Sequence, residues 1–254
     1  MADEKLKKQK FGYVPTVTLI VGPDKVPFIV HKTQLCEASS FFKAAFHTTF
    51  YKEGSENKMQ LAEDKASTVD LFVQWLYKKE CELSISHPRN QSSTTRFYMK
   101  VVKLLIFADK YDVPSFKEYM LQMFLDHCHD ADIPWLPKLY VIEFVYDNTC
   151  PGSGLRRLLI DTYTAYSDEE WYQSRRVRQK LCERPVIAVD LLTAATRAWD
   201  EEEFVEIFKR RTPKHYLGMT PEAAGMDEDS ESGVDGESSE DGDERGSEAQ
   251  EQSG

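Results

Sequence analysis

The chain has 254 residues, with 32 Lys and Arg against 43 Asp and Glu, for a formal net charge of −11. The excess charge lies at one end: residues 222–254 hold 13 acidic residues and one basic residue, whereas the first 221 hold 30 acidic and 31 basic ones. A nearly neutral body argues against direct nucleic-acid binding, which normally needs a clear basic excess. No run approaches the roughly 18–20 apolar residues of a membrane span, and the charged N-terminus lacks the apolar region of a secretory signal.

The acidic end contains no aromatic residue, no Leu and no Ile. Such a composition cannot bury enough apolar surface to offset the entropy of ordering the backbone, so we predict a disordered acidic tail over residues 218–254. Within it, Ser232 and Ser238 each precede an Asp by three residues, a context that suits kinases preferring acidic sequences. We predict both serines as phosphorylation sites, where each phosphate would add about −1.5 to −2 charges.

The cysteines are odd in number, widely spaced and without a Cys-x-x-Cys pair; they are Cys36, Cys81, Cys128, Cys150 and Cys182. This pattern is typical of reduced thiols rather than of a disulfide framework or a zinc site. It predicts a protein of the cytoplasm, the nucleus or both.

A charged segment, residues 1–15, precedes the first predicted strand. The β-branched run Thr16–Val21, a turn signal at Gly22–Lys25 and the short run Phe28–Val30 together predict a hairpin. A further short strand is predicted at residues 59–61.

Several segments have apolar residues at the three- and four-residue spacing of amphipathic helices. The first helix is predicted from the stripe Leu35, Ser39, Phe42 and Phe46. Polar loops are predicted at residues 51–58 and 88–95. Helical stripes also begin at Val69, Tyr98 and Phe116, and Pro114 separates the last two of these helices.

Beyond His129 the pattern is helical throughout. Helices are predicted at residues 139–146, 155–166, 185–198 and 201–208, with a break at Pro151–Gly154. Strands never alternate regularly with crossover helices, so the order favours an α+β protein over a doubly wound parallel sheet.

Four separated blocks between Thr16 and Asp126 resemble one known family. The blocks are Val17–Gly22, the His-Lys element and helical stripe of residues 31–46, Phe72–Tyr77 and Ala108–Pro114. In this order and at these spacings they are similar to a BTB/POZ domain. The pattern Tyr-x-Asn-x-x-Pro-Gly-Ser-x-x-Arg-Arg-Leu-Leu at residues 146–159 is similar to BTB proteins abundant in filamentous fungi.

The resemblance implies a BTB/POZ fold at residues 16–127, in which a small three-stranded sheet is packed with a cluster of helices. An all-helical extension at residues 128–217 would follow. It also implies a protein–protein interaction module, without enzymatic activity or cofactor. Such domains commonly form homodimers, and many are substrate adaptors for cullin-based ubiquitin ligases. The alternative is a homodimeric nuclear scaffold or transcription-associated regulator whose acidic tail binds basic partners.

Cullin-binding members carry a hydrophobic-x-Glu element before the third strand, and Tyr51-Lys-Glu53 matches it in place. Phe50, Tyr51 and Glu53 are therefore the candidate cullin contact, since exposed aromatic residues contribute strongly at interfaces. The alternative is an ordinary surface loop. Thr16 stands where many animal members carry an Asp, which argues against contacts of the corepressor type. Residues 1–15 lack the apolar stripe of the helix that is exchanged between subunits in some dimers.

Other arrangements of reactive residues favour structural interpretations. His127, Cys128 and His129 are adjacent on a helix and point about 100° apart, so they cannot converge on one metal ion. His31 and Cys36 could suggest a Cys/His enzyme, but Cys36 lies beside Leu35 on a helical stripe. We interpret the basic runs 175–178 and 209–211 as solvated helix faces, with nuclear import or anion contacts as the alternative.

Overall fold

The computed structural model describes residues 14–47, 52–83, 91–129, 136–200 and 204–218. Strand β1 (Thr16–Val21) is central in a small sheet of order β2-β1-β3. It runs antiparallel to β2 (Val26–His31) and parallel to β3 (Lys58–Leu61). The alternate residues Val17, Leu19 and Val21 of β1 are apolar and buried. The predicted hairpin and third strand are confirmed.

Helices make up the rest of the regular structure. The sheet is packed with α1 (Lys32–Ala38), α2 (Ser40–His47), α3 (Lys52–Glu56), α4 (Ala66–Lys78), α5 (Gln91–Lys110) and α6 (Pro114–His129). The extension contains α7 (Tyr140–Asn148), α8 (Gly154–Tyr166), α9 (Glu169–Gln173), α10 (Arg175–Glu183), α11 (Pro185–Asp200), α12 (Phe204–Lys209) and a 3₁₀-helix (Pro213–Tyr216). The α+β class with a following helical region is confirmed, whereas the predicted acidic tail lies almost entirely outside the described residues.

The first predicted helix is two helices, which is a correction. The stripe residues are all buried, but the chain is extended at Ser39, between α1 and α2. The Ser39 hydroxyl accepts a hydrogen bond from the Phe42 amide at 3.0 Å and donates one to the Tyr111 carbonyl at 2.6 Å. A serine that satisfies a free amide at a helix start favours a break at that point.

Both predicted polar loops are partly helical. In the first, residues 52–56 form α3, and Asn57 ends the helix with φ of +49°, a conformation that Asn tolerates better than most residues. In the second, α5 begins at residue 91 and buries Thr94 and Thr95. The Thr95 hydroxyl accepts a hydrogen bond from the Lys138 amide at 3.2 Å, so contact with a distant segment accounts for its burial.

Aromatic side chains fill the centre of the first half of the molecule. Phe42 stacks on Tyr111 with ring centroids 5.2 Å apart, Phe72 meets Phe107 at 5.2 Å, and Trp75 meets Phe116 at 4.8 Å. These residues come from α2, α4, α5 and α6 and from the corner after α5. Large buried rings supply much of the apolar area that stabilises such a core.

The extension shares this core rather than forming a separate one. Buried residues from β1 to the C-terminal 3₁₀-helix belong to one continuous hydrophobic cluster. Cys128, near the end of α6, lies at the junction: its sulfur is 3.1 Å from the Tyr98 hydroxyl, and its carbonyl accepts a hydrogen bond from the Tyr166 hydroxyl at 3.3 Å. The predicted division after residue 127 falls within α6, and it stays a prediction.

Candidate interaction surfaces

The predicted cullin contact is only partly described. Glu53 lies on α3, which packs against α2 and β3, and its side chain is half-buried. Phe50 and Tyr51 lie outside the described residues, as do Ser232 and Ser238. The sequence interpretation of all five residues therefore stays a prediction, and of these only Glu53 lies in the described part of the fold.

A groove of about 760 Å³ runs along α1 and α2 beside the corner between α5 and α6. Its lining carries both charges: Lys32 and Lys43 are basic, and Glu37 and Asp112 are acidic. On α2, the Phe41 side chain is 41% exposed. A surface with apolar area and both charges can complement a second copy of itself. We refer to it below as the α1–α2 groove.

His31 and Cys36 each have a separate structural partner. The Tyr77 hydroxyl is 2.9 Å from the His31 Nδ1 atom, and the Cys36 thiol faces the Phe42 carbonyl at 3.7 Å. Burial raises the pKa of the Cys36 thiol, which disfavours the reactive thiolate.

The His-Cys-His run is the end of α6, as interpreted from the sequence. Its side chains diverge: His127 packs against Phe97 at 4.2 Å between ring centroids, while Cys128 is buried in the junction. His129 packs edge-on against Phe208 of α12 at 5.9 Å. Within the described ranges, no three His, Cys, Asp or Glu side chains are grouped so that they could hold a metal ion.

His129 should make stability depend on pH. Burial lowers the pKa of its imidazole, and the nearby Asp126 carboxylate opposes this effect while Lys209 reinforces it. Because the folded-state pKa is depressed, the stabilising contribution is present above the unfolded value of about 6.5 and is lost as pH falls through the folded value.

We expect the melting temperature to fall between about pH 7.5 and pH 5, and to fall less in His129→Phe, which keeps a ring but cannot titrate. Differential scanning calorimetry across this range measures both slopes. Equal slopes in wild type and His129→Phe would contradict the prediction.

The break at residues 151–154 is confirmed, and it is a bonded corner between α7 and α8. The Arg156 guanidinium donates to the Tyr146 carbonyl at 2.9 Å and to the Thr149 carbonyl and hydroxyl. It also lies over the Tyr146 ring, 4.4 Å from the centroid. The sequence pattern at residues 146–159 is thus explained by a guanidinium that ties the end of one helix to the start of the next.

Gly154 allows a close approach at this corner. Gly154 begins α8, which Ser153 caps by accepting a hydrogen bond from the Leu155 amide at 3.3 Å. A Cβ added at Gly154 would lie 2.6 Å from the carbonyl carbon of Tyr216 and closer still to its oxygen. The C-terminal 3₁₀-helix therefore sits directly on the backbone of α8.

Beside the corner lies a cavity of about 570 Å³ that the sequence did not indicate. We call it the arginine-lined cavity, because its basic lining residues are Arg156, Arg157, Arg197, Arg211 and His215. They come from α8, α11 and the C-terminal segment, which are distant in sequence. The spacing of these residues gave no signal, because only the packing of three separate segments brings them together.

Arg211 corrects one interpretation of the basic runs. It forms an ion pair with Asp161 of α8, with side chains 21% and 16% exposed, so it does not lie on a solvated face. The Tyr216 hydroxyl also donates to Asp161, at 3.0 Å. Burial raises the pKa of the Asp161 carboxyl, and the Arg211 guanidinium opposes that rise. Arg175 and Arg178, by contrast, are exposed on α10 as expected.

None of the helices in the described ranges has both the length and the apolar character needed to cross a bilayer.

The structure combines a small three-stranded sheet, a cluster of helices and a groove that carries both signs of charge. This architecture suits a protein-interaction module. The family model of the BTB/POZ domain matches residues 5–128. The chain therefore carries a BTB/POZ domain over residues 5–128, and such a domain is a protein–protein interaction module. The resemblance seen in the four sequence blocks is confirmed. Comparison with curated proteins finds no match to the chain.

Proposed function

We propose that this protein is a substrate adaptor for a cullin-based ubiquitin ligase. The observation that carries the proposal is the BTB/POZ domain at residues 5–128, since such a domain is an interaction module. In the proposed complex, the face around Phe50, Tyr51 and Glu53 binds the cullin. The helix α6 and the first helices of the extension widen the contact surface.

The position of Glu53 supports this model. The residue lies on a five-residue helix at the side of the sheet, two positions after Tyr51 in the sequence. A half-buried carboxylate close in sequence to two aromatic residues would combine an apolar anchor with a charge that selects the partner.

An adaptor also needs a surface for its client, which the helical extension or the acidic tail would have to supply. The extension shares the hydrophobic cluster of the BTB/POZ domain, so a client bound to it would be held in a fixed position relative to the cullin. Rigid placement favours transfer to the client, because it reduces the entropy lost when the reacting groups are brought together.

A pull-down with a cullin scaffold at micromolar protein concentration tests the proposal. We expect wild type to recover the cullin, and Tyr51→Ala and Glu53→Lys to weaken binding by about tenfold or more. Glu56→Lys is the matched control, since it reverses the same charge on the same helix at a residue that is 51% exposed. The proposal fails if wild type recovers no cullin, or if Glu53→Lys binds as well as Glu56→Lys.

A second candidate function is a homodimeric nuclear scaffold, favoured by the α1–α2 groove. The two signs of charge in the groove, together with the exposed Phe41 ring on the same helix α2 but outside the groove lining, suit an isologous interface, in which the same patch serves both subunits. In this model the acidic tail would bind basic partners in the nucleus.

Light scattering after size exclusion tests the dimer. We expect twice the mass of one chain, and we expect Lys43→Glu in the groove to shift the protein toward the monomer. Lys78→Glu, at the exposed end of α4, is the control and should remain dimeric. A monomer mass at every concentration would contradict the homodimeric scaffold.

A further inference from the structure

The arginine-lined cavity carries more positive charge than its own acidic residues neutralise. The acidic residues in its lining are Asp161 and Asp190. Asp161 is paired with Arg211, and Asp190 accepts a hydrogen bond from the Tyr146 hydroxyl at 2.5 Å. The remaining guanidinium groups give the cavity a net positive charge. The start of α8 adds a partial positive charge at the same place.

Arg157 and Arg197 are the two guanidinium groups best placed to receive an anion. Arg197 is exposed on α11 at the cavity wall. Arg157 donates to the Gly218 carbonyl at 2.7 Å, while its Nε atom is buried with no hydrogen-bond partner in the described part of the chain. Arginine binds carboxylates through two parallel hydrogen bonds, so such a pair suits a carboxylate-rich segment.

The described chain ends at the rim of this cavity. His215 and Tyr216 are part of its lining, and Gly218, the last described residue, is held by Arg157. The sequence that follows carries 13 acidic residues and one basic residue over residues 222–254. The acidic tail therefore leaves the folded body next to the net positive charge described above.

The first acidic run is within reach. Asp227, Glu228, Asp229 and Glu231 begin nine residues after Gly218. A linker of this length spans about 16 Å on average and about 30 Å at most. A segment tethered this closely has an effective concentration in the millimolar range, which makes even weak binding largely complete.

We propose that the acidic run 227–231 binds the arginine-lined cavity of its own chain, with its carboxylates paired to Arg157 and Arg197. The tail then occupies the cavity as a tethered competitor. An acidic segment of another protein has to displace it before it can bind. This device is separate from the adaptor function and does not depend on it.

A competition experiment tests the proposal with the full chain. The probe is a fluorescent peptide of residues 222–235, and its binding is followed by fluorescence anisotropy. The neutral-run variant carries Asp227→Asn, Glu228→Gln, Asp229→Asn and Glu231→Gln. We expect it to bind the probe about tenfold more tightly than wild type, because the tethered competitor is gone.

The matched tail control removes the same number of charges farther along the chain. It carries Asp241→Asn, Asp243→Asn, Glu244→Gln and Glu248→Gln, and we expect its affinity for the probe to stay near that of wild type. This comparison separates occupation of the cavity by the first run from a general change in net charge. Equal tightening in both variants would overturn the assignment to residues 227–231.

Charge reversal in the body locates the site. In the neutral-run variant, Arg197→Glu should weaken probe binding about tenfold, whereas Arg175→Glu, exposed on α10, should change it little. The Nε–Hε NMR signals of Arg157 and Arg197 should also shift between wild type and the neutral-run variant. Equal probe affinity in wild type and the neutral-run variant, or equal losses from Arg197→Glu and Arg175→Glu, would overturn the proposal.

Discussion

Gly154→Ala is expected to destabilise the protein by about 3 kcal/mol, at the upper end for overpacking. The new Cβ would collide with the backbone of Tyr216, which cannot rotate away as the end of a side chain could. At a position that begins a helix, Ala would otherwise be preferred to Gly by up to about 1 kcal/mol. A loss of stability would therefore indicate the collision with Tyr216, and a gain would indicate the helix preference for Ala. Urea unfolding followed by circular dichroism measures it.

Gly218→Ala is the matched control for this substitution. A Cβ there would meet no atom of the described residues within 4 Å, so we expect a change within about 0.5 kcal/mol. If Gly154→Ala proved neutral or stabilising, the contact between α8 and the C-terminal 3₁₀-helix would not exist in solution. The arginine-lined cavity would then have a different boundary in solution, because Tyr216 forms part of its lining.

Phe208→Ala is expected to cost about 3–5 kcal/mol, as for other fully buried aromatic residues. Phe208 of α12 is fully buried. It packs edge-on against His129 of α6 and Tyr166 of α8, at 5.9 and 5.7 Å between ring centroids. Removing the ring leaves a hole where the extension meets the end of the BTB/POZ domain. Chemical denaturation gives the free energy of unfolding.

Hydrogen exchange shows how far the effect of Phe208→Ala spreads. Because the core is continuous, we expect faster exchange in α6 as well as in α8 and α12. Val205→Ala on the same helix, where Val205 is 36% exposed, should cost far less and leave α6 unchanged. Faster exchange confined to α12 would mean that the extension opens independently of the domain.

The elements that the sequence predicts well are those whose burial follows from a local pattern. In β1, a run of β-branched residues marks the strand, and in α4 the residues Val69, Phe72 and Leu76 have the spacing of one helix face. Pro114 likewise marks the start of α6, because proline restricts the residue before it. In each case a few neighbouring residues contain all the necessary information.

Elements that depend on distant partners were missed or misjudged. The periodic stripe predicted one continuous helix, but the helix breaks at Ser39, whose hydroxyl donates to a carbonyl 72 residues away. Thr94 and Thr95 are polar, and nothing near them in the sequence signals that contact with the extension buries Thr95. Short-range periodicity cannot encode a partner that only the completed fold supplies.

The candidate sites differ in the same way, because one was found from a local sequence pattern and the other depends on residues distant in sequence. Tyr51 and Glu53 were selected from a resemblance in sequence, whereas the arginine-lined cavity could be found only from the fold. Arg157 and Arg211 lie 54 residues apart, and Arg211 was predicted to be solvated because the acidic run 201–203 lies close before its basic run. Its actual partner, Asp161, belongs to a different helix.

The junction at Cys128 makes this protein a natural candidate for chemical labelling. The thiol is fully buried, and burial raises its pKa to about 12, so it can react only when the extension lifts from α5 and α6. Cys150 and Cys182 are exposed and would react at once. The alkylation rate of Cys128, resolved from that of the other buried thiol, Cys81, would therefore report how often the extension separates from α5 and α6. Any partner that binds across both halves should slow it.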